Sequence, residues 1–163
     1  MHSDVKQVQT ALNAFKIASK SLKQLQLVRI TLYDCKEEEE KIIGEEINYH
    51  INIPPRQVGE ILRKNNGILL APSSEGEGFG LPPVEAMACG IPVIMTKIPS
   101  FTSFSQKQDY ALFVDVGDES AMANNIIELA NNFHLRTNLI SSGLELAKTF
   151  NYDKVAKEII SLL

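Results

Sequence analysis

Hydrophobic positions in this chain recur with two different periods. Near the N-terminus they return at helical spacing from Val5 to Leu22, and Ser3 or Asp4 can cap that helix. The short apolar runs 27–33 and 68–71 instead suit strands, and the second is apolar enough to be buried on both faces. Because the two kinds of run alternate, the pattern predicts an α/β domain of parallel strands joined by right-handed crossovers, with helices on both faces of the sheet.

The same patterns divide the whole chain into elements. We predict strands over 27–33, 49–53, 68–71, 91–95 and 111–116. We predict helices over 5–22, 54–64, 82–90, 118–131, 134–149 and 151–163. The apolar positions Val58, Ile61 and Leu62 should face inward. The helix over 134–149 should bend or break near Gly143, and the charge run 36–41 is typical of a solvated face or loop.

Composition narrows the class of protein. The length of 163 residues suits one domain with a sizeable core, and the net charge of −4 gives no reason to expect a nucleic-acid partner. No apolar run approaches the roughly 20 residues of a membrane span, and no signal peptide is evident, so we expect a cytoplasmic protein. The histidines His2, His50 and His134 are scattered and are interpreted as structural. Cys35 and Cys89 should be small, buried or half-buried side chains, with Cys89 largely buried against the sheet.

The most informative stretch follows the predicted strand 68–71. Three glycines stand at alternating positions, Gly76, Gly78 and Gly80, and Pro82 then lies in the first turn of a helix. A strand, a glycine loop and a helix N-terminus together make a site for an anion, most often a phosphate. The spacing does not fit the dinucleotide fingerprint, and no phosphate loop with Gly-Lys-Ser/Thr is present, so the sequence predicts neither a nicotinamide cofactor nor ATP hydrolysis of the usual kind.

Two carboxylates frame this stretch, Glu77 in the loop and Glu85 in the first turn of the predicted helix, with seven residues between them. A carboxylate can accept two hydrogen bonds in a fork, which suits a vicinal diol on a ribose or hexose, while the backbone amides of 78–81 would hold phosphates between them. The alternative is that Glu85 only complements the positive helix end and that Glu77 is solvated. The residues alone leave both interpretations open.

The segment Glu77-Gly-Phe-Gly-Leu-Pro-Pro-Val-Glu85-Ala-Met-Ala-Cys-Gly-Ile-Pro-Val-Ile resembles the E-x7-E signature of retaining glycosyltransferases of the GT-B fold, family 4. The preceding Ala71-Pro72-Ser73 fits that family, and Leu135-Arg136, Ala147 and 150–156 resemble its closing helices. The resemblance implies a Rossmann-like parallel sheet and the C-terminal, donor-binding half of a two-domain enzyme. Residues 1–163 would then form a single nucleotide-sugar-binding domain.

The resemblance also implies roles for individual residues. Glu77 would be the catalytic carboxylate on the donor sugar hydroxyls, and Glu85 would bind the ribose hydroxyls. The opening of the first helix is similar to the family's Lys-Gly-Val, which makes Lys6 the diphosphate lysine, although Gln7 replaces the usual glycine. The implied donor-binding set is Glu85, Gly78, Phe79, Gly80, Leu81 and Lys6. No cofactor and no metal are implied, because the helix dipole and basic side chains neutralise the diphosphate in this fold.

The sequence departs from the family in ways that shape the expected activity. These 163 residues are expected to hold neither the family's N-terminal acceptor domain nor the first strand of its donor domain, with its Gly-Arg. Tyr152 stands where Trp is common, and the loop 98–105 lacks the family's Gly-Gly…Pro-Glu. The implied partners are a nucleotide-sugar and the missing acceptor domain in cis, with no nucleic acid and with scope for peripheral membrane association of the full-length enzyme. We expect this chain alone to transfer no sugar. The alternative is a non-catalytic binding or assembly module, and a reading frame extending about 200 residues upstream would favour the enzyme.

Overall fold

The computed structural model describes residues 5–44 and 47–150. Its strands are β1 Val28–Thr31, β2 Asn48–Ile51, β3 Leu69–Ala71, β4 Val93–Thr96 and β5 Leu112–Val114. Its helices are α1 Val8–Ala18, α2 Lys36–Ile43, α3 Pro55–Asn65, α4 Leu81–Ala88, α5 Pro99–Thr102, α6 Glu119–Asn131 and α7 Phe133–Ala147. The predicted helix over 151–163 lies outside the described residues.

The described strands are parallel and form two ladders. β1 pairs with β2, and β3, β4 and β5 pair in that order. Each connection between paired strands contains a helix, which is α2 between β1 and β2, α4 between β3 and β4, and α5 between β4 and β5. Parallel strands need such a crossover connection. The predicted parallel α/β arrangement is therefore confirmed, although its strands fall into two hydrogen-bonded groups.

The central strand β4 shows that helices cover both faces of the larger ladder. All four of its side chains are buried. Val93 and Met95 point into a cluster with Met87 of α4, whereas Ile94 points into a second cluster with Met122 of α6. Because successive strand residues face opposite sides, these clusters lie on opposite faces of the sheet. The prediction of helices on both faces is confirmed.

The N-terminal helix begins later than predicted. α1 starts at Val8, and the residue before it, Gln7, adopts a left-handed conformation with φ of 46°. Val5 is not helical; its carbonyl accepts a hydrogen bond of 2.8 Å from the Ser74 amide in the glycine loop. A distant loop therefore binds this segment, which the helical spacing could not indicate. The proposed caps Ser3 and Asp4 lie outside the described residues.

The charge run 36–41 is a helix with one deeply buried member. Glu39 is only 6% exposed. Arg29 on β1 donates to its two carboxylate oxygens from Nε at 2.8 Å and Nη2 at 2.5 Å, and the Tyr49 hydroxyl on β2 donates at 2.9 Å. The solvated interpretation fits the exposed Glu37 and Glu38 but is wrong for Glu39, whose charge is compensated inside the fold.

This network predicts a specific loss of stability in acid. Burial alone would raise the pKa of Glu39, but the hydrogen bonds from Arg29, Cys35 and Tyr49 hold it below its usual value. A depressed carboxyl pKa adds stability above the unfolded-state pKa of about 4.3, and that stability is lost as the pH falls through the folded-state value. We therefore expect the melting temperature of the wild type to decrease as the pH is lowered beyond about 4.3. The decrease should be less steep in Glu39→Gln.

Thermal melts of both proteins across this pH range measure the difference. Glu38→Gln is the matched control, because Glu38 lies on the same helix and is exposed. It should keep the wild-type slope. Parallel curves for Glu39→Gln and the wild type would contradict the assignment.

The structure corrects the prediction for α7 and adds detail to the prediction for α3. α7 runs without interruption through Gly143, where an added Cβ would lie 3.0 Å from Met87 Cγ. This glycine therefore permits α7 to pack closely on α4 and does not break the helix. In α3 the apolar positions Val58, Ile61 and Leu62 do face partly inward, but each is only half-buried.

The cysteines are both free and half-buried, as their composition-based prediction stated. The finer prediction for Cys89 holds in part. It caps the C-terminal end of α4 and packs against the core cluster that includes Val93 and Met95 of the sheet, but it is only half-buried. Its Sγ also lies 3.7 Å from Arg63 Nη1 and 4.0 Å from the Gly59 carbonyl oxygen of α3, so the thiol has a helix neighbour that the prediction did not include.

In the described part of the chain, no helix is both long enough and apolar enough to cross a bilayer. The cytoplasmic location stays a prediction.

Candidate functional site

The glycine loop begins directly after β3 and ends where α4 begins, at the carboxyl edge of the three-stranded ladder. Ser73, two residues past the strand, is 4% exposed. The loop then turns, with the Glu77 amide donating to the Ser74 carbonyl at 3.0 Å. Val5 packs over it, since a Cβ added at Gly76 would lie 3.1 Å from Val5 Cγ2. The N-terminal segment therefore fixes the outer side of this loop.

Glu77 is the most constrained carboxylate in the loop. Its side chain is 11% exposed and forms an ion pair with Lys6, whose Nζ donates to Oε2. The Ser73 hydroxyl donates to the same oxygen at 2.9 Å. Burial alone would raise the pKa of Glu77, but the bonds from Lys6 and Ser73, with a smaller contribution from the Gly78 amide, hold it below its usual range. Glu77 is therefore ionised and partnered, and the alternative of a solvated side chain is wrong.

Glu85 is positioned differently from the prediction. α4 begins at Leu81, because Gly80 adopts a left-handed conformation and forms the N-cap, so Glu85 is the fifth helical residue and lies beyond the first turn. Its side chain is exposed and makes no hydrogen bond or ion pair with the described residues, although its backbone carbonyl accepts from the Cys89 amide at 3.1 Å. Its carboxylate can therefore accept hydrogen bonds from a ligand without breaking an existing contact in this part of the chain.

The start of α4 offers few donors to an anion. The first four amides of a helix lack intrahelical partners, but here two of these positions are Pro82 and Pro83, which carry no N–H. The N-cap Gly80 and Leu81 provide the remaining free amides, and Leu81 is 52% exposed. A basic side chain near this helix end would add positive charge for an anion, to which the two proline positions donate no hydrogen bond.

The structure gives different reasons for glycine at positions 80 and 78 of the loop. Gly80 has φ of 77°, and an added Cβ would lie 2.2 Å from Cε1 of the buried Phe101, so a side chain fits neither the backbone nor the space. A Cβ at Gly78 would meet nothing within 4 Å. Gly78 therefore leaves open space on the exposed side of the loop, where a ligand could approach the backbone.

Phe79 lies between these glycines, and its side chain is held by other aromatic rings. The ring is 45% exposed, and its centroid lies 5.4 Å from that of Phe104 and 5.5 Å from that of Phe150. Such spacings are typical of aromatic pairs in contact. The ring is therefore engaged with the body of the domain, and the backbone amide is the group of Phe79 that could face a ligand.

The structure brings Lys6 to the glycine loop, across more than 70 positions of sequence. The neighbouring Gln7 has the left-handed backbone that glycine adopts without strain. A glycine at this position would therefore fit the observed backbone, and with Gln7 in its place Lys6 lies beside Glu77.

Sequence reasoning missed the support behind Glu77. Thr96, at the end of β4, is fully buried, and its Oγ1 donates to the Ser73 carbonyl at 2.5 Å. Ser73 in turn donates to Glu77 through its hydroxyl. A serine two residues past a buried strand and four residues before Glu77 is the one sequence signal that points to this contact.

In residues 5–44 and 47–150, no three His, Cys, Asp or Glu side chains come together as a metal site. The expectation that the site uses no metal and no cofactor stays a prediction.

Comparison with known proteins gives one matching family, "Glycosyl transferases group 1", whose profile matches residues 3–145. A curated relative, the phosphatidyl-myo-inositol mannosyltransferase of Mycobacterium leprae, is 31% identical over 93 residues, which cover 57% of this chain and 25% of that protein. The chain spans about a quarter of the length of curated relatives such as this one.

Solved structures share the fold. The Anabaena protein HepE, solved in complex with UDP-glucose, superimposes with a TM-score of 0.83 at 16% identity, over 98% of this chain and 45% of that one. The C-terminal domain of the group 1 glycosyl transferase LpcC from Francisella tularensis gives a TM-score of 0.75 at 24% identity, over 90% of this chain and 80% of that one. The expected fold class, a Rossmann-like C-terminal half of a GT-B glycosyltransferase, is confirmed.

Proposed function

We propose that this chain, which belongs to the glycosyl transferases group 1 family, is the domain that binds the nucleotide-sugar donor of a retaining enzyme of family 4. The full-length protein would transfer a hexosyl group to a glycan, lipid or other acceptor. One observation carries the proposal. The loop between β3 and α4 holds an ionised, hydrogen-bonded Glu77, and the exposed Glu85 follows about one turn into the helix.

In this proposal the two carboxylates bind different parts of the donor. Glu85 accepts hydrogen bonds from the ribose hydroxyls, because its carboxylate is exposed and has no competing partner among the described residues. Glu77 accepts hydrogen bonds from the donor sugar hydroxyls and is the catalytic carboxylate of the set. The amides of residues 78–81 meet the sugar and the diphosphate, with the open side of Gly78 as the point of closest approach.

Lys6 changes its partner when the donor binds. In the structure its ammonium pairs with Glu77, while 59% of its side chain remains exposed. A diphosphate carries more negative charge than one carboxylate and lies next to the start of α4, so the ammonium gains by moving towards it. Lys6 and the helix end would then stabilise the leaving diphosphate during transfer. That solved relatives such as HepE bind UDP-glucose supports a nucleotide-sugar as the ligand class.

Calorimetric titration of the 163-residue chain with UDP, GDP, ADP and their sugars tests this proposal. We expect one nucleotide family to bind, as the free diphosphate and as the nucleotide-sugar. The same titration with the corresponding nucleoside is the control, because it lacks the diphosphate that Lys6 and α4 would bind. If no nucleotide-sugar binds, the donor-binding proposal fails in favour of a non-catalytic binding or assembly module.

We predict that this chain by itself transfers no sugar. Transfer needs an acceptor site and a closed cleft that excludes water, and in this proposal both require a second domain in cis. A radiolabelled nucleotide-sugar incubated with the chain and a panel of glycan and lipid acceptors should give no labelled acceptor above background. Acceptor-dependent incorporation of label would contradict the prediction.

A further inference from the structure

We infer that Ser73 is a positioning residue for Glu77, and that Thr96 holds Ser73 in place. The inference rests on the proposed function, in which Glu77 binds the donor sugar. Ser73 donates its hydroxyl proton to Glu77 Oε2 at 2.9 Å, and it does so from a side chain that is 4% exposed. The carboxylate is therefore oriented by a buried group of the sheet edge, in addition to its contact with Lys6.

Thr96 fixes the backbone that carries this hydroxyl. β3 and β4 are neighbours, with Ala71 opposite Met95, so the residue after each of these positions lies at the same edge. The fully buried Thr96 donates from Oγ1 to the Ser73 carbonyl at 2.5 Å. Movement of Ser73 would break a buried hydrogen bond and leave a carbonyl unpaired, which is costly. The contact thus couples the end of β4 to the Glu77 carboxylate through one residue.

Ser73 is the partner of Glu77 that remains when the donor arrives. Lys6 donates to the same carboxylate oxygen, but it is mostly exposed, and in the proposed function it moves to the diphosphate. Once Lys6 leaves, the Ser73 hydroxyl and the Gly78 amide are the contacts that still favour an ionised, oriented Glu77. The serine therefore keeps the carboxylate aimed at the sugar hydroxyls at the moment when its ion pair is lost.

Replacing Ser73 by alanine should weaken nucleotide-sugar binding about 3–10-fold and leave nucleoside diphosphate affinity unchanged, because one hydrogen bond to the sugar-binding carboxylate is lost. A second readout needs no ligand. Carbon-13 NMR titration of the Glu77 carboxyl should show a higher pKa in Ser73→Ala, since a donor to its ionised form is gone. Ser74→Ala is the matched control, because the Ser74 side chain makes no hydrogen bond to the described residues. It should resemble the wild type in both readouts.

Thr96 supplies an independent pair of variants. Thr96→Val has nearly the same shape but no hydroxyl, whereas Thr96→Ser keeps it. We expect Thr96→Val to reproduce both effects of Ser73→Ala, and Thr96→Ser to restore wild-type values. This pair also decides the question if Ser73→Ala does not fold.

The outcomes separate this inference from the proposed function. If Glu77→Gln weakens nucleotide-sugar binding but Ser73→Ala and Thr96→Val change neither affinity nor the Glu77 pKa, the positioning role is overturned and the proposed function stands. If Glu77→Gln leaves sugar binding unchanged, the proposed role of Glu77 fails, and the NMR titration still tests whether Ser73 and Thr96 act on its carboxyl. An unchanged Glu77 pKa in both hydroxyl-deletion variants overturns the inference in either case.

Discussion

Replacing Gly80 by alanine is expected to lower the free energy of unfolding by about 2–5 kcal/mol, because two penalties add. The left-handed backbone of Gly80, with φ of 77°, disfavours any residue that has a Cβ. The new methyl would also lie 2.2 Å from Cε1 of Phe101, which is 1% exposed and has no space to retreat. Thermal or urea unfolding measures the change, and the melting temperature should fall by about 5–15 °C for a domain of this size.

Gly78→Ala is the matched control for this prediction. A Cβ at that position would meet nothing within 4 Å, and its backbone is not left-handed, so stability should change by no more than about 0.5 kcal/mol. Under the proposed function the same methyl faces the donor, and nucleotide-sugar affinity should fall although the fold is intact. Equal destabilisation by the two variants would contradict the structural distinction between these glycines.

The parts of the site that sequence could predict are those fixed by local signals. The apolar run before Ala71 predicted β3, and the paired prolines predicted the start of α4 to within one residue. The loop between these elements was predicted because three glycines at alternating positions do not favour a helix or a strand. A left-handed N-cap at Gly80 moved the helix start, which is why Glu85 lies one residue beyond the first turn. Local sequence signals thus predicted the strand, the loop and the helix, whereas the backbone conformation of Gly80 determined at which residue the helix begins.

The remaining features depend on partners that are distant in sequence. Glu39 is buried only because Arg29 and Tyr49, each ten residues away, meet it from neighbouring strands. Val5 leaves the helical pattern because it packs on Gly76. In both cases the local sequence favours the solvated or helical alternative, and tertiary contacts decide against it. No periodicity within a short window contains that information.

We expect Glu85→Gln to weaken nucleoside diphosphate and nucleotide-sugar binding together, each by about tenfold or more. Hydrogen bonds to a charged acceptor contribute roughly 1.5–3 kcal/mol, and 1.4 kcal/mol corresponds to a factor of ten. Because the Glu85 side chain is exposed and makes no hydrogen bond or ion pair with the described residues, the substitution should leave folding stability nearly unchanged. A loss of affinity would therefore report the ligand contact itself. Titration calorimetry with both ligands, accompanied by a thermal melt, measures the two quantities.

Glu77→Gln should give a different pattern, and that contrast tests the division of roles. It removes the carboxylate on the sugar side and also releases Lys6 from its ion pair, so the ammonium becomes fully available to the diphosphate. Nucleoside diphosphate affinity should therefore stay nearly intact, while nucleotide-sugar affinity falls by about tenfold. Glu75→Gln removes the same charge from an exposed position of the same loop and should change neither affinity. If each of the two variants weakened nucleoside diphosphate and nucleotide-sugar binding equally, separate sugar and ribose roles would be refuted. The carboxylates would then act on both ligands only through their negative charge.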